Sequence, residues 1–194
     1  MATSKVQIAN LALMHVGENA ITSFADETNA ARAIDQVYDV VRDAVLTDHT
    51  WNFAIKRLAL SRDSGTPIFD FTYRFNLPTD YLRLVSIEDL PDYKISGQFI
   101  ETDSDAINIK YVAENDIPNE YDSMFVMSLA LRLGATIAER LTQSSALGKE
   151  LMEAYALSLR DAKTVDAQSD KPDDLEANLW LDSRNKGTSL SGDL

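Results

Sequence analysis

The chain has two histidines, and one of them stands in "DHTWNFAIKR" at 48–57, beside an aspartate, a tryptophan and a Lys–Arg pair. An imidazole next to a carboxylate suggests proton transfer or metal binding. The spacing supports neither. Adjacent residues on a strand or turn point apart, so Asp48 and His49 are not a dyad by spacing alone. No H-E-x-x-H or H-x-H occurs, and His15 falls inside a helical stretch, where a packed or surface side chain is expected. Carboxylates are plentiful. Asp103, Asp105, Glu114, Asp116 and Glu120 crowd one region, and a glycosidase needs only a pair. "DSD" at 103–105 resembles part of a calcium loop but lacks the glycine and closing Glu, so solvated turn residues are expected. No phosphate-binding glycine motif is present, Ser144 and Ser145 read as helix caps without a G-x-S-x-G context, and cysteine is absent. The expectation is no catalytic, cofactor-binding or metal-ligating residue, and no cofactor.

Such residues need elements to carry them. The 194 residues are 45% hydrophobic and 25% charged, an ordinary globular composition. Val6, Ala9, Leu13 and Val16 share a helical face after the capping box "SKVQ", and Gly17 suits a left-handed stop, giving a helix over 4–16. A second helix is expected over 29–47. After Trp51 the period shortens to two. Strands are expected in "NFAIKRLAL", over 69–76 with an aromatic face, and in "YLRLVSIEDL", with a hairpin at 98–112 whose tip is Asp103–Asp105. Pro118 opens a helix over 119–142, where Ala130, Gly134 and Ala138 allow close approach, and a last helix covers 145–165.

The reading is therefore α+β, mainly α: a bundle of about four helices with a small antiparallel β insertion and an extended C-terminal arm. The parts are 1–52, N-terminal helices; 53–117, β-rich insertion; 118–165, C-terminal helices; and 166–194, the arm. Trp51 and Phe53 are read as the structural junction where helix gives way to strand. The arm is Asp- and Ser-rich, but Leu175, Leu179, Trp180 and Leu181 form an apolar island in it. An aromatic anchor in a polar segment suits docking on a partner.

The net charge of -13 excludes tight nucleic-acid binding by phosphate neutralisation, but suits a surface that DNA must slide past. Lys56 and Arg57 stand out on so acidic a chain, either as an exposed strand face or as a contact to an acidic neighbour. The N-terminus lacks the features of a signal peptide, and no run reaches the ~18 apolar residues of a membrane span, so a chain made and kept soluble in a cytosol is expected.

In order along the chain stand "ANLALMHVGENAITSF" at 9–24, "AARAIDQVYDVVRDAVLTDHTWNFAIKR" at 30–57, "YRFNLPTDYLRL" at 73–84, "LALRLGATIAERLTQS" at 129–144 and "WLDSR" at 180–184. Together these resemble the head-to-tail adaptor proteins of tailed bacteriophages, the group called tail tubular protein A. The resemblance implies a structural virion protein and no enzyme. It implies a ring, usually of twelve copies, under the portal at the head–tail interface, made in the host cytoplasm and traversed by DNA without specific binding or membrane contact. Its partners would be the portal ring, further copies of itself, and the next tail component, a nozzle or tail tube. Carried onto this sequence, Leu175, Leu179, Trp180, Leu181 and Arg184 would be the portal-binding arm, while Lys56, Arg57, Phe99 and Ile107 would meet a neighbouring copy or the tail. Two alternatives remain open: a tail-associated glycan hydrolase using carboxylates, and an acidic monomeric binding protein.

Overall fold

The computed structural model describes residues 3–89 and 91–169. Helix α1, Lys5–Val16, starts at the expected capping box, with Ser4 Oγ accepting from the Gln7 amide and Gln7 Oε1 accepting from the Ser4 amide. It stops at Gly17, whose φ of 76° is left-handed. The single helix expected over 29–47 is two: α2, Asn29–Asp35, and α3, Tyr38–Asp48. Neither glycine nor proline breaks it. The chain tightens at Gln36–Val37, where the Val37 amide bonds the Ile34 carbonyl instead of continuing the four-residue ladder.

Six strands follow among the described residues: β1 Ile55–Ala59, β2 Tyr73–Asn76, β3 Tyr81–Ile87, β4 Tyr93–Ser96, β5 Phe99–Thr102 and β6 Asn108–Ala113. They form two antiparallel three-stranded sheets, ordered β1-β6-β3 and β2-β5-β4. Helices α4, Ser123–Thr142, and α5, Ser145–Ser169, complete the described chain.

These sheets overturn the expected bundle with a small insertion. The fold is mixed α+β with a β-sheet core of its own, built from Leu60, Phe75, Ile87, Ile100, Ile109 and Tyr111. The expected hairpin at 98–112 is also wrong. β5 and β6 lie in different sheets, so Asp103–Asp105 is a crossover between sheets and not a hairpin tip. The true hairpin is β4–β5, closed by Gly97 at φ 61° with Ser96 opposite Phe99. Alternation marks a strand but does not name its partner; pairing is set by which face is buried. The expected strand over 69–76 begins only at Tyr73, leaving Phe69 67% exposed on the preceding loop. The last helix runs past its expected end at 165 to Ser169, so the arm begins as helix; the rest of the arm, which that reading called extended, lies outside the described residues.

The central strand β6 joins the two cores. Val112 packs into the helical core, whereas Ile109, Tyr111 and Ala113 face the sheet core. In the helical core, small residues set the spacing. Gly134 of α4 lies where a Cβ would stand 3.3 Å from the Ala12 carbonyl of α1 and 3.3 Å from a Leu151 methyl of α5. Ala130 and Ala138 are likewise fully buried. The close approach offered by these residues is taken by helices of the same chain.

Candidate functional site

The Asp48–His49–Trp51 constellation is a packing junction. Trp51 follows the end of α3, is 1% exposed, and donates its Nε1–H to the Val45 carbonyl at 2.9 Å. Its ring meets Phe125 edge-on at 5.2 Å and His49 edge-on at 4.8 Å. Phe53 packs on Phe125 and Tyr121 at 5.0 and 5.4 Å. Asp48 turns away from the imidazole. It accepts from the Tyr155 hydroxyl at 2.6 Å and from the Arg132 guanidinium, tying α3 to α4 and α5. Burial pushes the Tyr155 phenol up, and Asp48 beside it adds to that. A carboxylate held by two donors is an ion-pair anchor and does not supply a base to His49. His15 lies on α1 with its Nε2 buried.

The carboxylate-rich region is organised by a buried guanidinium that the sequence reading did not single out. Arg42 of α3 is 2% exposed. Its guanidinium donates to Asp39 and Asp43 on its own helix, and to Glu114 and Asp116 just after β6 at 2.6 and 2.5 Å. Lys5 of α1 adds a further bridge to Asp116 at 2.5 Å. Burial raises the Asp43 carboxyl, the Arg42 hydrogen bond and charge pull it part of the way back, and the neighbouring Glu114 and Asp39 carboxylates add to the rise. Burial works against the Arg42 charge, yet the surrounding carboxylates hold it protonated. Such a cluster clamps the segment after β6 to helices α1 and α3. The signal was present in the sequence, in an Arg at a helical spacing that also carries Val41 and Val45, but its long-range partners were not.

Asp103 accepts from the Thr72 amide and hydroxyl at 2.9 and 2.8 Å, so it pins the loop before β2. Asp80 accepts from Lys56 at 2.6 Å and from the Tyr111 hydroxyl at 3.1 Å. Burial pushes Asp80 up, but these donors hold it below the usual carboxylate range; the Tyr111 phenol, buried beside that charge, is pushed up to about 12. Among the described residues, no group of three or more His, Asp or Glu is placed to hold a metal ion. No described helix is long and apolar enough to cross a membrane.

The expected contact residues do not form one patch. Lys56 is committed to Asp80, and Arg57 is exposed on β1. Phe99 is half-buried, with the Arg74 guanidinium 4.6 Å above its ring. Ile107 is 4% exposed inside the sheet core. Leu175, Leu179, Trp180, Leu181 and Arg184 lie outside the described residues. What the sequence reading missed is the loop between β1 and β2, where Ile68 is 96% exposed and Phe69 67% exposed. Met14 on α1 adds another exposed apolar side chain beside a hollow of about 830 Å³ lined by Gln7, Leu11 and Val126. No family model matches this chain, and no curated protein matches it.

Proposed function

We propose that the chain is a structural adaptor that assembles with copies of itself under a phage portal and forms part of the DNA conduit between head and tail. The observation that carries this reading is the combination of an acidic chain of net charge -13 with large apolar side chains left uncovered at separate places, Ile68 and Phe69 on the loop and Met14 on α1. Contiguous uncovered apolar groups mark surfaces that meet other proteins, and Ile68 and Phe69 are uncovered side by side in sequence. Separate, unlike patches suit head-to-tail contacts, which close into rings. An acidic conduit lets DNA pass without holding it. The order of the sequence stretches resembling the adaptor family supports the same reading.

In this account the island around Trp180 is the portal anchor. Trp180→Ala should weaken binding of the full chain to purified portal rings by about 2 kcal/mol, as expected of a buried aromatic hot spot. Calorimetric titration measures it, and wild-type affinity in the variant would remove Trp180 from the interface.

A further inference from the structure

We propose that the open edge of β1 is a docking surface for residues 173–182 of the same chain. β1 sits at the edge of its sheet, paired with β6 on one side and, among the described residues, with no strand on the other. Residues Lys56 to Ala59 are exposed. Arg57 stands directly opposite Lys110 of β6. Like charges facing across a strand pair repel. Neither makes an ion pair among the described residues, although the chain carries 31 acidic residues. With Leu58, Ala59 and Ile109 they line a shallow cleft of about 490 Å³. Glu88, also at the cleft, is engaged by the Asn108 amide at 2.6 Å. The surface thus offers an open strand edge, the exposed Leu58 and Ala59, and two cations that form no ion pair among the described residues. It calls for an extended, acidic, apolar peptide.

The chain carries such a peptide close by. "DDLEANLWLD" at 173–182 contains Asp173, Asp174, Glu176 and Asp182 and no basic residue. Leu175, Ala177, Leu179 and Leu181 fall at every second position, the pattern of a strand with one apolar face. Ala162 and Val165 share a hollow with Asn52 and Phe53, just before β1 begins at Ile55. From Ser169 to Asp173 the chain can advance by roughly 13 Å at ~3.3 Å per residue. The acidic segment therefore starts within reach of β1, whose own length is about 17 Å. This contact is distinct from portal binding. It holds the anchor on its own chain until a portal takes it.

Hydrogen exchange of the full chain, followed by mass spectrometry without any portal, tests it. Amides of 174–181 should exchange about tenfold or more slower than unprotected chain. The protection should vanish in Arg57→Glu/Lys110→Glu. It should also vanish in Asp173→Lys/Asp174→Lys/Glu176→Lys, which changes no described residue and so keeps the test open should the first variant misfold. Combining the two sets should restore it. Exchange at the unprotected rate in the wild-type chain overturns the proposal, as does protection that survives both reversals. Protection that grows with protein concentration also overturns it, because the segment would then lie on a neighbouring copy.

Discussion

At the residue scale, charge in this protein ties elements together. Asp48, first suspected for its neighbour His49, anchors Arg132 and Tyr155. Arg42 is the most buried charged side chain among the described residues and joins α3 to the segment after β6. The periodicity of "VYDVVRDAV" places Arg42 on a helix, but its carboxylate partners at 114 and 116 are 72 and 74 residues away, a distance no local pattern spans. Removing one partner of a buried cluster leaves uncompensated charge, so Arg42→Met should cost about 3 kcal/mol in denaturant unfolding. An unchanged midpoint would mean that the carboxylates repel too little for the clamp to matter. Tyr111 gives a pH signature. Its phenol lies above its unfolded value of 10.0, at about 12, so its contribution is complete below pH 10 and is lost as pH rises towards 12. Tyr111→Phe should therefore lose less stability than wild type between pH 10 and 12, measured by urea midpoints at each pH. Parallel losses in the two proteins would contradict the shift.

At the element scale, the caps of α1 could be read directly from "SKVQ" and Gly17, and the period of α4 from the spacing of Leu129, Leu133 and Ile137. But α4 starts at Ser123 behind the Asp122 cap and not at the expected 119, because Pro118 opens a short 3-10 turn of its own. Sheet membership could not. The alternation in 98–112 looks continuous, yet β5 and β6 part company because Ile100 and Ile109 enter the shared core from different sheets. Treating the β region as a small insertion followed from that error. The helix seams turn on Gly134, where a Cβ would crowd the Ala12 carbonyl and Leu151. Gly134→Val should destabilise by about 1–3 kcal/mol through overpacking between α1, α4 and α5. Gly134→Ala should be milder, since better helix propensity offsets part of the crowding. Thermal melts of the two variants check this order, and a Val variant as stable as wild type would show that the seam has slack.

At the scale of the whole molecule, the chain is acidic and leaves Met14 and Ile68–Phe69 uncovered. Composition foretold the acidity. It could not foretell the loop, because Ile68 and Phe69 follow Pro67 and precede an aromatic alternation that reads as buried strand. The adaptor account makes these groups contacts between copies and the segment near Trp180 the contact to a portal. The most direct measurement is electron microscopy of purified portal rings mixed with an excess of the full chain. The account predicts a second ring stacked coaxially on each portal, with copies touching their neighbours. Portal rings that stay bare at saturating protein would contradict it.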